Sequence, residues 1–137
     1  MEAGSDLWLV LDDRQAIFAC WTFHHSVPVS AVRNGQLALP PEMVCLEDSI
    51  TLPSYRGQGI VASAAWSQAA DRLEKAGVKS IITKTTADNK VMRWALAKSA
   101  FDEIAIVRFR KAGLRRHMAV RARTGATADW LVEQLML

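Results

Sequence analysis

Leu7 to Leu11 and Ala16 to Phe23 are short apolar runs rich in β-forming side chains, and the polar stretch Asp12-Asp13-Arg14-Gln15 between them predicts a β-hairpin. A turn-rich passage with Pro28, Asn34-Gly35 and Pro40-Pro41 follows, in which Val29 to Val32 and Leu37 to Leu39 suggest a small second hairpin. Met43 to Leu52 reads as another strand. At Gly59 the period changes. Val61, Ala65, Ala69, Leu73 and Ala76 recur every three or four residues up to Gly77, which predicts a helix of about 17 residues with a glycine stop. Val78 to Thr86 returns to strand character, Asp88 or Asn89 caps a second helix running to about Ala100, and Ile104 to Arg110 is strand again. His117 to Arg123 is its expected antiparallel partner, and Thr127 is placed to cap a last helix over residues 127–136 with Trp130, Leu131, Leu135 and Met136 on its apolar side.

Hairpins first, then a strand–helix–strand–helix–strand series, imply a mixed α/β (α+β) fold whose crossover favours a parallel strand pair. The 137 residues fit a single domain over 1–137, half of them apolar and under a quarter charged. No apolar run approaches the ~20 residues of a membrane helix. The opening Met1-Glu2-Ala3-Gly4-Ser5-Asp6 lacks the order of a signal peptide. Cys20 and Cys45 sit in apolar stretches without metal-site spacing, so no metal is expected, and buried free thiols in a cytoplasmic protein are. The net charge of +3 is uneven: Arg108, Arg110, Lys111, Arg115, Arg116, Arg121 and Arg123 crowd one region. That invites a nucleic-acid reading. No stacking aromatics or zinc-finger spacing accompany the charge, however, and arginines sharing strand parity read as a solvated hairpin face.

The segment that points to chemistry is Leu52-Pro53-Ser54-Tyr55-Arg56-Gly57-Gln58-Gly59-Ile60. A glycine turn entering a helix exposes backbone N–H groups at the positive end of the helix dipole and lets a phosphate approach closely. A tight turn that binds nothing is the plain alternative. An NTPase phosphate loop is excluded, because no Gly-Lys-Ser/Thr follows. Gly57, Gly59 and Ala62 satisfy G-x-G-x-x-G/A, yet the next strand carries Lys79 and Lys84 where a dinucleotide site needs an acid.

Strand, Pro53-x-Tyr55-Arg56-Gly57-x-Gly59-Ile60, long helix, strand, then Asn89 with Phe101 twelve residues later together resemble the acyl-CoA-binding half of the GNAT (N-acetyltransferase) superfamily. The resemblance covers about residues 43–110. It implies a mostly antiparallel sheet with a central parallel pair flanked by helices. It also implies acetyl-CoA or coenzyme A as ligand, and a small-molecule amine or exposed amino group as acceptor. The family's Q/R-x-x-G-x-G/A turn maps onto Arg56 and Gly59, so the amides around Gln58, Gly59, Ile60 and Val61 would hold the pyrophosphate, with Arg56 and Gly57 in the same cofactor-binding turn. Ile50, Thr51 and Leu52 on the preceding strand, with Asn89 and Arg93 on the second helix, complete the implied cofactor set. Val61 departs from the family's Gly or Ala.

In the family the strand before the turn splays from its neighbour at a bulge and takes the thioester, here along Cys45 to Thr51. Glu47 and Asp48 are the carboxylates available as catalytic base. Strand alternation lets only one face the site unless the bulge intervenes, and Glu47, with the longer reach and the parity of Cys45 and Thr51, is preferred. His24 and His25 are adjacent and point opposite ways, which suits surface or core roles. The family's proton-donating tyrosine falls at Leu96, and Ala100 replaces the glycine before Phe101. The 55 residues preceding Arg56 look entirely β, whereas family members usually place a strand and two helices there. The acceptor wall is therefore expected to be reduced, or completed by a second subunit in a homodimer. A coenzyme A-binding or protein-interaction module without efficient transfer is the competing reading, and a nucleic-acid binder using the basic hairpin is the third.

Overall fold

The computed structural model describes residues 4–57 and 59–137. They fall into two compact units, one built from the stretches up to Val27 and from Leu39 to Phe101, the other from Pro28–Ala38 and Asp102–Leu137.

The first unit is organised on a four-stranded sheet of order β1-β2-β5-β6. Strands β1 (Ser5–Asp12) and β2 (Gln15–Phe23) form the expected hairpin, whose tight turn holds Asp13 at φ 57. β2 pairs antiparallel with β5 (Met43–Thr51), and β5 pairs parallel with β6 (Ser80–Thr83). The crossover between that parallel pair is α1 (Ile60–Lys75), which lays Ala65, Trp66, Ala69 and Leu73 against the core at three- and four-residue spacing. Gly77, at φ 96, ends the element. α2 (Lys90–Lys98) follows β6. Phe18, Cys20, Leu46, Ala65, Trp66 and Ala95 make one buried cluster, so the sheet and both helices share a core. Thr22, a buried polar residue of β2, accepts the Trp8 indole N–H at 2.9 Å across the hairpin. Residues before Pro53 contain strands and no helix among those described, as the sequence led us to expect.

The small hairpin pairs β3 (Ser26–Pro28), which lies wholly upstream of the expected Val29–Val32, with β4 (Gln36–Ala38), which overlaps the expected Leu37–Leu39; residues 29–32 form no strand. In the second unit, β7 (Ala105–Ala112) and β8 (Arg115–Ala122) form an antiparallel ribbon, and α3 (Ala126–Met136) ends the chain. Thr127 does not cap α3: the N-cap is Gly125, and Thr127 lies inside the first turn. No helix among the described residues is long and apolar enough to cross a membrane.

Candidate active site

The site begins where the central parallel pair comes apart. Pairing of β5 with β6 stops at Leu46 and Thr83, with the Thr83 hydroxyl donating to the Leu46 carbonyl at 2.9 Å. On its other edge β5 continues against β2, but between the pairs Glu47–Trp21 and Ile50–Ala19 two residues, Asp48 and Ser49, face Cys20 alone. This is a β-bulge, with Asp48 at φ 54. The extra residue bends β5 away from β6 and opens a cleft of about 180 Å³, lined by Glu47, Asp48, Ser49, Trp66, Lys84 and Met92 among others. The bulge does intervene: both candidate carboxylates line one cleft, and the parity Glu47 would share with Thr51 ends there.

Past the bulge, the Leu52 N–H is bonded to the Ile17 carbonyl at 2.9 Å, so its main chain points toward β2. Alternation turns Thr51 the other way, where its carbonyl accepts Arg56 Nε at 2.8 Å. The Ile50 side chain is 61% exposed, outside the cleft. A single 3-10 turn over Pro53–Tyr55 then carries the chain toward α1, and the Tyr55 hydroxyl donates to the Asp12 carboxylate. That bond holds the phenol proton and raises the Tyr55 pKa.

Gly57 has φ 139 with open space where a Cβ would stand, whereas Gly59, the N-cap of α1, has φ 67 and faces Ala95. The two glycines do different work: Gly57 leaves room beside the backbone, and Gly59 makes a left-handed corner that lets α2 pack close. α1 starts without a side-chain cap and without an acid in its first turn, which leaves its positive end open to an anion. Val61 packs into the core, so its branched side chain does not stand over the helix start, while the neighbouring Ile60 is exposed. Gln58 lies outside the described residues.

Asn89 caps α2, its Oδ1 accepting the Met92 N–H at 3.1 Å; the side-chain amide N–H groups are its remaining donors. Arg93 donates to the Ala87 carbonyl at 3.0 Å, which ties the entry loop to the helix.

Inside the cleft, Glu47 accepts the Cys45 thiol at 3.3 Å on one oxygen and the Lys84 ammonium at 3.0 Å on the other. The Glu47 side chain is 13% exposed and that of Lys84 50%. Burial, then the adjacent carboxylate, push the Cys45 thiol far above the ordinary range, so it stays protonated and is no nucleophile. Trp66 donates its indole N–H to Ser49 at 3.0 Å and meets Phe101 edge-on at 6.0 Å, joining the bulge to α1 and to the chain three residues past the end of α2.

A family model for the acetyltransferase (GNAT) family matches residues 2–101. The chain belongs to the GNAT acetyltransferase family. Solved GNAT-fold structures agree with it in fold. The aminoglycoside N-acetyltransferase AAC(6')-Iy, in complex with the bisubstrate analogue CoA-S-monomethyl-acetylneamine, is 21% identical with a TM-score of 0.60, covering 80% of this chain and 71% of its own. The aminoglycoside 6'-N-acetyltransferase AAC(6')-IG of Acinetobacter haemolyticus is 19% identical, with a TM-score of 0.60 and coverages of 83% and 74%. The Bacillus subtilis protein YycN is 18% identical, with a TM-score of 0.61 and coverages of 81% and 64%. No curated protein sequence matches the chain.

Within this GNAT frame, Leu96 packs against the core and offers no proton. His24 is bonded to Asp6 at 2.8 Å and ties β1 to β2, a structural role for that histidine. On the β7–β8 ribbon, Arg108 and Arg110 pair with Ala119 and His117, and all four are exposed; Arg116, on the opposite face, donates to the Leu135 carbonyl at 3.3 Å. Among the described residues no group of acids, cysteines and histidines has the arrangement of a metal site. Sequence reasoning missed Lys84 and Trp66 as members of the cleft. The Cys45–Glu47 contact was implicit in strand alternation, while Lys84 follows only from the parallel register, which places it one step beyond Thr83 as Glu47 is one step beyond Leu46.

Proposed function

We propose that this GNAT protein transfers an acyl group, acetyl first among candidates, from an acyl-coenzyme A to a small-molecule amine or exposed amino group. One observation carries the reading: β5 parts from β6 at the Asp48 bulge, Ser49 of that bulge is bonded to Trp66 of α1, and the same helix starts uncapped through left-handed Gly59. An acyl-CoA has the matching shape, a pyrophosphate for the helix start and a thin pantetheine arm for the gap. The N–H groups of Gly59, Ile60 and Val61 would hold the pyrophosphate, with the Arg56 guanidinium as a further donor. Gly57 leaves the approach clear, and Ile50, Thr51, Leu52, Asn89 and Arg93 flank the path. The bisubstrate complex of AAC(6')-Iy, which joins coenzyme A to an aminoglycoside fragment, supports an amine as acceptor.

Transfer is direct. The amine nitrogen attacks the thioester carbonyl beside the bulge, the C–N bond forms as the C–S bond breaks, and Glu47, with Asp48 next to it, receives the ammonium proton. The thiolate takes a proton from water, since Leu96 stands where the family places tyrosine. Cys45 forms no acyl intermediate because its thiol stays protonated.

A second reading is favoured by one contact: Glu47 already holds Lys84 and Cys45, so its carboxylate is occupied. It is a coenzyme A-binding module that does not turn over. Calorimetric titration with coenzyme A and acetyl-CoA, followed by thiol release across a panel of amines, separates the two. Binding with release supports transfer, binding without release supports the module, and no binding rejects both.

A further inference from the structure

Lys84 brings a primary amine into the cleft where the proposed reaction would deliver an acyl group. Its Nζ lies 3.0 Å from Glu47 Oε2, the oxygen of the residue assigned as base, and both side chains line the same cavity as Ser49 and Trp66. An ammonium held by a carboxylate beside a thioester has the components an external amine acceptor would need: a nitrogen nucleophile, a proton acceptor in contact with it, and confinement near the donor. The pair Lys79–Glu42 is an internal comparison, with the same two groups 3.3 Å apart but with side chains 75% and 59% exposed and outside the cleft.

From this juxtaposition we infer that Lys84 is itself an acyl acceptor, a site of self-acylation by the bound acyl-CoA. The inference rests on the acyl-CoA reading above. In the step, Glu47 takes one proton from the Lys84 ammonium and the freed Nζ lone pair attacks the thioester carbonyl carbon. The C–N bond forms, the C–S bond breaks, and the thiolate leaves with the electron pair and takes a proton from solvent, while the acylated nitrogen gives its second proton to solvent and Glu47 releases the first there. The product is an amide at Lys84 and free coenzyme A thiol. The amide carries no positive charge, so Glu47 loses its ion-pair partner. Modification therefore removes the competitor that holds the base, and an external ammonium then has that oxygen to itself.

The test incubates the full chain with acetyl-CoA and no added amine, follows intact mass, and maps the modified lysines by peptide mass spectrometry against Lys79, Lys75 and Lys98. Calorimetry of coenzyme A binding runs on the same preparation. Lys84 is expected to acquire one acetyl group at least about tenfold faster than any of the other three lysines, the advantage expected of an intramolecular amine. Lys84→Arg abolishes the fast phase while keeping the charge and coenzyme A affinity, and Glu47→Gln slows it by about tenfold or more. Coenzyme A binding with Lys84 modified no faster than Lys79 overturns self-acylation and leaves the function proposed above standing. Absence of coenzyme A binding overturns both. Unaltered labelling of Lys84 in a folded Glu47→Gln protein overturns the assigned proton path and with it the inference.

Discussion

Gly59 and Ala95 touch across the α1–α2 contact: a Cβ built on Gly59 would lie 3.1 Å from the Cβ of Ala95, closer than side-chain carbons normally pack. Any side chain at Gly59 therefore disturbs the fold as well as the turn, since φ there is 67. Gly59→Ala is expected to lose about 1–2 kcal/mol of stability from the left-handed backbone alone, measured by urea unfolding. Lost ligand binding in that variant would say little about phosphate recognition.

Ile60→Glu is the cleaner probe of the anion site. Ile60 is 64% exposed in the first turn of a helix that has no acid there. A glutamate at this place interacts favourably with the helix dipole, by about 0.3–1 kcal/mol, so the protein stays folded. The same charge repels a pyrophosphate at the amides. Coenzyme A affinity should fall at least about tenfold, or about 1.4 kcal/mol; wild-type affinity in calorimetry would remove the pyrophosphate from this turn.

Ala100 keeps a glycine's conformation without being glycine. Its φ of 63 lets the Phe101 N–H reach the Leu96 carbonyl at 3.1 Å and seat Phe101 on Trp66. A left-handed alanine costs about 1–2 kcal/mol, and part of that returns as the greater unfolded-state freedom of glycine, 0.4–1 kcal/mol. Ala100→Gly should thus raise stability by about 0.5–1 kcal/mol in urea unfolding, with no change in coenzyme A affinity. A destabilised variant would contradict the strain assigned to this position.

Much of this arrangement was legible in the chain because it is local. The 7–23 hairpin, the three- and four-residue spacing of α1 and the Asn89 cap each depend on residues near one another in sequence. What could not be read depends on partners. Strand character runs from Val78 to Thr86, yet β6 ends at Thr83, because β5 turns away at Asp48 and leaves Lys84 nothing to pair with in a ladder. The Lys84–Glu47 contact spans 37 positions and is set by parallel register. The two compact units interleave, each drawing on two stretches of chain, so no linker composition marks where one gives way to the other. Around Gly125 the polar residues suggested a cap at Thr127, but the helix is capped two residues earlier, at Gly125.

Glu47→Gln tests the base. The amide keeps the shape but has one acceptor oxygen where the carboxylate has two, so it keeps the Lys84 bond at the expense of the Cys45 thiol, and it cannot take a proton. Turnover with an amine acceptor should fall by roughly 10²-fold or more, with the acid limb of the pH–rate profile lost and donor affinity kept. Equal turnover with an unchanged profile would pass the role to Asp48, which lines the same cleft.

Cys20 offers a test of the core through pH. It is fully buried, and desolvation pushes its thiol up from 9.0 to about 11. The folded protein holds this proton more tightly than the unfolded chain does. Below about pH 9 both states keep it and its stabilising contribution is whole. Between about pH 9 and pH 11 the unfolded chain releases the proton first, so stability falls as pH rises through that window. At about 1.4 kcal/mol per pKa unit, the loss from this thiol is of the order of 2 kcal/mol. Other groups of the chain also respond to alkali, so the informative quantity is a difference. Urea unfolding of the wild type and of Cys20→Val, compared at about pH 8 and pH 10.5, cancels the groups the two proteins share. The wild type should lose more stability between those conditions than the valine variant does. Parallel losses would mean that the Cys20 thiol ionises alike in the folded and unfolded chains, and that water reaches it behind the β2–β5 ladder.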